Sequence, residues 1–459
     1  MSYDDFLNAK VRAHQPCGLA GASGLPASMF DHQRALAEWA VKRGRAAIFA
    51  DTGLGKSRIG VAWCDQISRA TGGDIIILAP LAVAQQTVAE AAAIGIKIKH
   101  CRDGAEVEPG ITITNYERLH RFDSSRFIGV WLDESSCIKH HNASTFTLLA
   151  EAFANTPYKL CETATPAPND WTEFGTHAEF LGVCSRSEML SEFFAHDGGD
   201  TALWRLKGHA RAQFWKWVVS WGALIRRPSD LGFDDGAYLL PPLEIVEHTV
   251  EVELPTNGML FAMEAQTLSE RRDARRASLD YRVKACADAV NNDMQPWIVW
   301  CDLNAEGDAL RAAIPGSVEI RGSDDMDTKE RRLNDFAEGR VRVLISKPSI
   351  CGFGLNWQHA ARMAFVGVTD SFEAYYQAVR RCWRFGQKRP VHVHVFASDA
   401  EGAVVANLRR KEREAIAMSE SLSAETRDAV FSEVRGQVRQ TNEYNANSGV
   451  TIPNFLRAA

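Results

Sequence analysis

A glycine-rich turn between an apolar segment and a helical segment constrains the fold of this chain more than any other feature. Residues 46–49 are Ala-Ala-Ile-Phe, and residues 50–57 continue as Ala-Asp-Thr-Gly-Leu-Gly-Lys-Ser. This order predicts a strand, a phosphate-binding loop and a helix whose positive dipole end faces the phosphate. Ala50 stands where the strict pattern has glycine, so a glycine-rich turn without a ligand is the alternative for this segment taken alone.

Each part of the predicted loop has an expected task. The glycines would let backbone amides close around phosphate oxygens, Lys56 would reach the β- and γ-phosphates, and the Ser57 hydroxyl would bind Mg²⁺. The expected nucleotide-binding residues of the loop are Thr52, Gly53, Leu54, Gly55, Lys56 and Ser57.

A second apolar segment ends in two carboxylates. Residues 127–134 are Phe-Ile-Gly-Val-Trp-Leu-Asp-Glu, which predicts a buried strand followed by an acidic pair. Since ligands gather at the carboxyl ends of parallel strands, we expect Asp133 to hold Mg²⁺ and Glu134 to deprotonate the attacking water. An acidic pair alone is more often a solvated turn. With the phosphate loop upstream, the pair predicts a site that hydrolyses nucleoside triphosphates.

Apolar segments of strand length alternate with helical patterns along most of the chain, which predicts an α/β fold. The first series lies within residues 31–160, and a second series follows Pro241 and Pro242. Residues 170–240 are rich in Trp, Phe and Gly and are expected to form helical insertions and a connector. We therefore predict domains at residues 1–240 and 241–459, the second with a polar, partly helical tail.

Composition excludes several classes of protein. The 459 residues contain no apolar stretch long enough for a membrane span, and the N-terminus lacks the pattern of a signal peptide. Ten cysteines without a Cys-x-x-Cys motif favour a reducing compartment, hence the cytoplasm. The net charge of −6 argues against a basic nucleic-acid coat, but a local basic groove remains compatible with it.

Two motifs in the second half complete a pattern of known order. Residues 352–356 are Gly-Phe-Gly-Leu-Asn, and residues 377–387 are Gln-Ala-Val-Arg-Arg-Cys-Trp-Arg-Phe-Gly-Gln. With the loop and the acidic pair, they resemble superfamily-two helicases and translocases, most closely the SWI/SNF-type branch in a lean, bacterial- or phage-like form. The resemblance implies two tandem RecA-like domains with parallel sheets flanked by helices, and an ATP site in the cleft between them.

The resemblance also implies roles for individual residues. Gln33 would recognise the adenine edge, and Gly354 would let the backbone approach a phosphate. Arg381 and Arg384, three positions apart and hence on one helical face, would act as arginine fingers on the γ-phosphate. Residues 163–169 would relay hydrogen bonds between the acidic pair and the domain interface.

The function implied is ATP-dependent translocation along DNA or its unwinding, with ATP and Mg²⁺ as cofactors. DNA would be held through its backbone with weak sequence preference, in the cytoplasm of a bacterial or phage-infected cell, with protein partners expected if the motor serves an assembly. The alternative is an ATP-gated DNA clamp or scaffold subunit that hydrolyses ATP slowly. An RNA helicase is disfavoured, because residues 133–136 are Asp-Glu-Ser-Ser and not Asp-Glu-Ala-Asp.

Three further patterns have simpler explanations. His392 and His394 alternate with valines, which predicts two faces of one strand and not a metal site. The segment 139–142, Lys-His-His-Asn, is expected to be a loop at a helix start and not a nuclease cluster. The basic segment 271–276 is expected to be a solvated helix face, with DNA contact as the minority interpretation.

Overall fold

The computed structural model describes residues 14–80, 83–138, 141, 143–167, 170–197, 200–250, 276–351, 357–367, 372–398, 410 and 426–436. Two parallel sheets organise this part of the chain, each covered by helices on both faces. The predicted fold class, an α/β protein with two parallel sheets flanked by helices, is thereby confirmed.

The first sheet contains seven parallel strands in the order β3-β4-β2-β5-β6-β1-β9. The strands are β1 (Arg45–Ala50), β2 (Asp74–Ala79), β3 (Lys99–His100), β4 (Ile111–Asn115), β5 (Phe127–Asp133), β6 (Tyr158–Glu162) and β9 (Gly222–Ile225). The central strands are buried along almost their whole length, which is why they appear in the sequence as continuous apolar runs. The phosphate loop follows β1 and the acidic pair ends β5, so both lie at the carboxyl edge of this sheet.

Helices connect these strands and cover the sheet. They are α1 (Asp31–Arg43), α2 (Lys56–Thr71), α3 (Ala84–Ala93), α4 (Ser144–Ala152), α5 (Phe174–Leu181), α6 (Arg186–Phe193) and α7 (Arg211–Val219). Within the described residues, none of the helices combines the length and apolar character needed to cross a bilayer.

The second sheet contains six parallel strands in the order β10-β15-β14-β11-β13-β12. They are β10 (Leu243–Val250), β11 (Trp297–Trp300), β12 (Val318–Ile320), β13 (Val343–Ser346), β14 (Arg362–Phe365) and β15 (Val391–Ser398). The flanking helices are α8 (Leu279–Asn291), α9 (Asn304–Ala313), α10 (Met326–Ala337), α11 (Pro348–Cys351) and α12 (Phe372–Val379). Separate apolar clusters cover the two faces of the sheet.

Residues 170–240 contain more strand than the sequence predicts. Besides helices, they form an antiparallel hairpin of β7 (Phe194–Asp197) and β8 (Asp200–Leu206), and strand β9, which completes the edge of the first sheet. Strand β10 was not predicted either, because its polar and apolar residues do not alternate regularly and it lies at the edge of the second sheet. The strand containing His392 and His394 was predicted correctly and pairs with β10.

The predicted division at residue 240 stays a prediction, and one helix near the C-terminus packs across it. Residues 426–435 form α13, and Val430 is completely buried in the core of the first sheet. Arg427 forms an ion pair with Asp230 at 3.0 Å, and Glu433 pairs with Arg43. The chain therefore returns to the first unit after completing the second.

We expect Gly60→Ala to destabilise the first unit. Gly60 lies in α2 against Trp131, and an added Cβ would lie 2.3 Å from the fully buried indole. The ring has no room to move, so the free energy of unfolding should fall by about 1–3 kcal/mol. Gly208→Ala is the matched control, because a Cβ added at Gly208 would have no neighbour within 4 Å. Equal denaturant midpoints for the two variants would contradict this packing.

Candidate nucleotide-binding site

Two glycines shape the turn between β1 and α2. Gly53 and Gly55 have φ angles of 90° and 84°, a backbone region that side chains rarely adopt. An added Cβ would lie 2.1 Å from Nε2 of Gln33 at Gly55 and 3.0 Å from the backbone of Phe385 at Gly53. The loop is thus enclosed from both sides at positions where only glycine fits.

Lys56 points back into this loop from the first turn of α2. Its Nζ donates hydrogen bonds to the carbonyl oxygens of Ala50 at 2.8 Å and Asp51 at 3.4 Å. Burial lowers the pKa of Lys56, whereas nearby carboxylates, Glu134 foremost, raise it. Ser57 follows on the same turn. The ammonium group therefore lies at the centre of the loop, where it would meet phosphate oxygens.

The acidic pair ends β5 in the middle of the first sheet. Asp133 is 7% exposed, and burial, with a contribution from Glu134, raises its pKa to about 7. Glu134 has a φ of 57°, the positive value found at no other described residue except glycines. Its Oε1 accepts hydrogen bonds from Thr163 Oγ1 at 2.6 Å and Ser136 Oγ at 3.2 Å. A strained backbone and two hydroxyl donors thus fix the direction of the Glu134 carboxylate.

Two buried groups beside the acidic pair escaped the sequence analysis. Glu162, at the end of β6, is in register with Asp133 and is fully buried, and burial raises its pKa well above the usual range. His177 on α5 forms a 3.1 Å hydrogen bond with Ser135 Oγ, and burial lowers its pKa to about 4. The signal for His177 was a titratable residue inside the apolar helix Phe174–Leu181.

Gln33 lies directly beside the phosphate loop. Its side chain is 2% exposed, and Nε2 donates to the Leu54 carbonyl at 3.1 Å and to the Tyr238 hydroxyl at 3.4 Å. The Tyr238 ring packs against Phe385 at 4.7 Å, and Phe30 approaches both rings. Aromatic side chains from both units thus surround the loop near Gln33, while its contact with adenine stays a prediction.

The second unit contacts the loop through a residue that the sequence analysis did not select. Arg380 follows α12, and its Nη2 lies 3.1 Å from Oδ2 of Asp51. Tyr376 donates to the other oxygen of Asp51 at 2.9 Å. Burial alone would raise the pKa of Asp51, but Arg380 and Tyr376 lower it below its usual value. Asp51 is therefore held as a carboxylate by two groups from across the cleft.

The two predicted arginine fingers lie nearby in different surroundings. Arg381 is buried and donates from Nε and Nη2 to the backbone and side-chain oxygens of Gln377, at 2.9 and 3.2 Å. Burial lowers the pKa of Arg384 to about 10, and the charge of Arg384 in turn contributes to lowering the pKa of Lys56. Arg384 thus lies close to the phosphate loop, and the roles of both arginines stay predictions.

Gly354, the remaining predicted ligand, lies outside the described residues, as do residues 139, 140 and 142 and the segment 271–275. The described residues of the first unit nevertheless bring together a backbone loop shaped by two glycines, an ammonium group and buried carboxylates. Such a donor set fits a polyphosphate and a hard divalent cation, because the cation would compensate the carboxylates that burial makes costly.

Comparison with known proteins agrees with this geometry. Residues 301–386 match the helicase conserved C-terminal domain. The chain is 24% identical, over 80% of its own length and 93% of the relative, to Putative protein p41 of Acyrthosiphon pisum secondary endosymbiont phage 1. The structure of S. cerevisiae Dbp5 bound to RNA and ADP BeF3 is similar with a TM-score of 0.55, covering 88% of this chain and 94% of that chain at 12% identity.

The likeness to Dbp5 shows that the two α/β units are RecA-like domains in tandem. With the helicase C-terminal domain in the second unit, the findings support a superfamily-two helicase. The match to the helicase C-terminal domain supports an enzyme, a nucleic-acid-dependent ATPase.

We expect His177 to make the enzyme less stable in acid. Its pKa is about 4 in the native state and ordinarily 6.5. As the pH falls below 6.5, His177 therefore becomes protonated in the unfolded chain while it stays neutral in the native state. The stability that neutral His177 contributes is complete above pH 6.5 and is lost toward pH 4. The loss should reach about 3 kcal/mol, at about 1.4 kcal/mol per pH unit.

Urea unfolding of the wild type and His177→Gln between these pH values measures this effect, since glutamine does not titrate. The variant should lose less stability in acid than the wild type. His120→Gln, which removes an exposed imidazole, is the control. An identical pH dependence for His177→Gln and the wild type would show that the buried imidazole does not oppose protonation.

Proposed function

We propose that this enzyme is an ATP-dependent DNA translocase or helicase of the SWI/SNF-type branch, which couples ATP hydrolysis to movement along DNA or to its unwinding. The observation that carries the proposal is the contact of Arg380 and Tyr376 with Asp51. These groups of the second domain contact the phosphate loop of the first. Binding or cleavage of the nucleotide would therefore alter a contact between the two domains.

The proposed division of tasks follows the positions of the side chains. Lys56 binds the β- and γ-phosphates of ATP, while Ser57 and Asp133 would hold Mg²⁺. Glu134, whose carboxylate is oriented by Thr163 and Ser136, accepts a proton from the attacking water. Mg²⁺, when bound, would supply positive charge that offsets the negative charge of the phosphates during cleavage.

The remaining tasks in the nucleotide site fall to residues around the loop. The amides of Thr52, Gly53, Leu54 and Gly55 would contact the phosphate oxygens, and Gln33 the adenine. Arg384 and Arg381 would stabilise the charge that develops on the γ-phosphate, and Gly354 would lie beside a phosphate. Closure of the cleft around ATP and its opening after hydrolysis would then move the domains relative to one another.

DNA is proposed as the track on the strength of the motif at residues 377–387, with contacts mainly to the phosphate backbone. The structural neighbour Dbp5 is bound to RNA, so RNA is the competing substrate to be tested. The phage relative supports a phage-infected bacterial cell as the setting, and protein partners would give the motor its task there.

ATPase turnover measured with single-stranded DNA, duplex DNA and RNA tests the proposal. We expect stimulation by DNA that exceeds stimulation by RNA. Stimulation by RNA alone would assign the enzyme to RNA. Tight, ATP-dependent DNA binding with slow turnover and no displacement along the DNA would identify the alternative, an ATP-gated clamp or scaffold subunit.

Lys56→Ala and Glu134→Gln should separate nucleotide binding from cleavage. Lys56→Ala should weaken ATP binding, because it removes the ammonium group from the loop. Glu134→Gln should bind ATP nearly as the wild type does but hydrolyse it about a hundredfold or more slowly, because the amide accepts no proton. Fluorescent nucleotide titration and steady-state ATPase assays measure the two effects. Loss of ATP affinity in Glu134→Gln equal to that in Lys56→Ala would refute the separate roles.

Arg384→Ala should retain ATP binding and lose DNA-stimulated turnover, because the first domain binds the nucleotide and Arg384 acts only on the transition state. An arginine finger contributes about 10³–10⁵ in rate. Arg311→Ala, an exposed arginine on α9, is the control. Circular dichroism verifies folding. A folded Arg384→Ala enzyme that DNA stimulates fully would exclude this role for Arg384.

A further inference from the structure

An open cavity of about 460 Å³ is lined by the β7–β8 hairpin and its neighbours, outside the nucleotide site. Its walls come from the residues after the 163–167 segment, from both hairpin strands and from the turn before α7. The lining residues that matter for its chemistry are Asp170, Trp171, Trp204, Arg205, Lys207 and Arg211. A volume of this size is within the range of about 300–1,000 Å³ typical of small-ligand pockets. We call it the hairpin cavity.

Two indoles give the hairpin cavity a flat apolar surface. Trp171 and Trp204 are both half-buried, so part of each ring faces the space. The Trp204 ring contacts His196 with centroids 3.8 Å apart and the ring planes tilted by 37°, and the Trp171 ring lies 5.3 Å from the Arg211 guanidinium carbon. Both rings are thus held by neighbours before any ligand arrives, which reduces the entropy that binding would cost.

The lining of the hairpin cavity contains three cationic side chains and one carboxylate. Arg205 and Arg211 are exposed, and Lys207 is fixed by hydrogen bonds from Nζ to the carbonyl oxygens of Ser191 and Glu192, at 2.8 and 2.9 Å. The Oδ1 of Asp170 accepts the backbone amide of Thr172 at 2.7 Å, and its single negative charge is outnumbered by the three cations. The lining therefore carries a positive charge next to stacking surfaces, the combination that binds a base and its phosphate.

We propose that the hairpin cavity binds an unpaired nucleotide of the strand on which the motor acts. Stacking on an indole requires an exposed base face, which a base inside a duplex does not offer. The inference rests on the proposed function, since it assumes that the enzyme engages nucleic acid, and it adds the kind of substrate: a strand with at least one unstacked base.

The position of the hairpin cavity connects it to the ATP site. Asp170 and Trp171 follow Thr163 by seven and eight residues, and Thr163 donates the 2.6 Å hydrogen bond to Glu134. A nucleotide bound against Trp171 would therefore lie only a few residues along the chain from the hydroxyl that orients the Glu134 carboxylate. Occupation of the cavity would favour hydrolysis, and an unpaired strand would stimulate the enzyme more than a blunt duplex.

The test uses the full-length enzyme and fluorescein-labelled oligonucleotides of one sequence, as single-stranded DNA, single-stranded RNA and blunt duplex DNA. Fluorescence anisotropy of Trp204→Ala should show single-strand binding weakened about tenfold, with duplex binding nearly unchanged. Trp204→Phe, which keeps a flat ring, should restore most of the affinity. Tyr281→Ala, which removes an exposed aromatic ring elsewhere, is the control.

A second variant, with a reversed charge at an exposed residue, tests the cavity without removing a packed ring. Arg205→Glu should weaken single-strand binding without disturbing the hairpin, and it decides the question if Trp204→Ala fails to fold. An oligonucleotide carrying the fluorescent base aminopurine adds a direct measurement, because its emission is quenched when the base stacks on an indole. The quenching should be smaller in Trp204→Ala. Similar losses for DNA and RNA strands would show that the cavity recognises the base and phosphate shared by both.

The outcomes separate the cavity from the proposed function. If Trp204→Ala and Arg205→Glu both bind single strands as the wild type does, and nucleic acid still stimulates their ATPase normally, the cavity does not bind the strand. The proposed motor function would then still stand. Equal losses for single strands and duplex would also overturn it. If no nucleic acid binds to the wild-type enzyme or stimulates it, the proposed function is wrong, and so is the proposed role of the hairpin cavity.

Discussion

The accumulation of charge at the carboxyl edge of the first sheet is the constraint on which the rest of the structure depends. Asp133 and Glu162 end adjacent strands in the interior, and Lys56 provides the neighbouring positive charge of the first domain. Burial of carboxylates is costly unless they are protonated, paired or coordinated to a cation. Burial raises the pKa of both acids, so their charged forms are unfavourable without a compensating cation. A metal ion and cationic groups from across the cleft would supply that compensation.

Much of the fold follows from features that are visible in the sequence. The central strands are buried on both faces, so their apolar runs predicted them nearly to the residue. The short strands β3 and β9 were missed because they contain so few residues. The edge strand β10 was missed because its polar and apolar residues follow no regular alternation. The β7–β8 hairpin was missed because its aromatic residues fit a helical insertion equally well, and only its pairing identifies it.

The site was predictable where a motif determines the backbone conformation. It was less predictable where a long, flexible side chain can reach several hydrogen-bond partners. The positions of Lys56 and Glu134 follow from strand, turn and helix, whereas the spacing of Arg381 and Arg384 defines a helical face but not the reach of each guanidinium. Arg380, which the same segment contains, makes the contact with Asp51. His177 lies far along the chain from the acidic pair, and only the packing of α5 brings it to Ser135.

The return of α13 to the first domain changes how the protein must be assembled during synthesis. The second domain is bounded on both sides by segments that pack on the first, since β9 precedes it and Val430 follows it. Described segments on both sides of the second sheet in the sequence thus pack on the first domain. An N-terminal domain ordinarily folds as soon as it leaves the ribosome. Here one part of the core, Val430, is synthesised only after the second sheet, so the final packing of the first domain follows translation of the second.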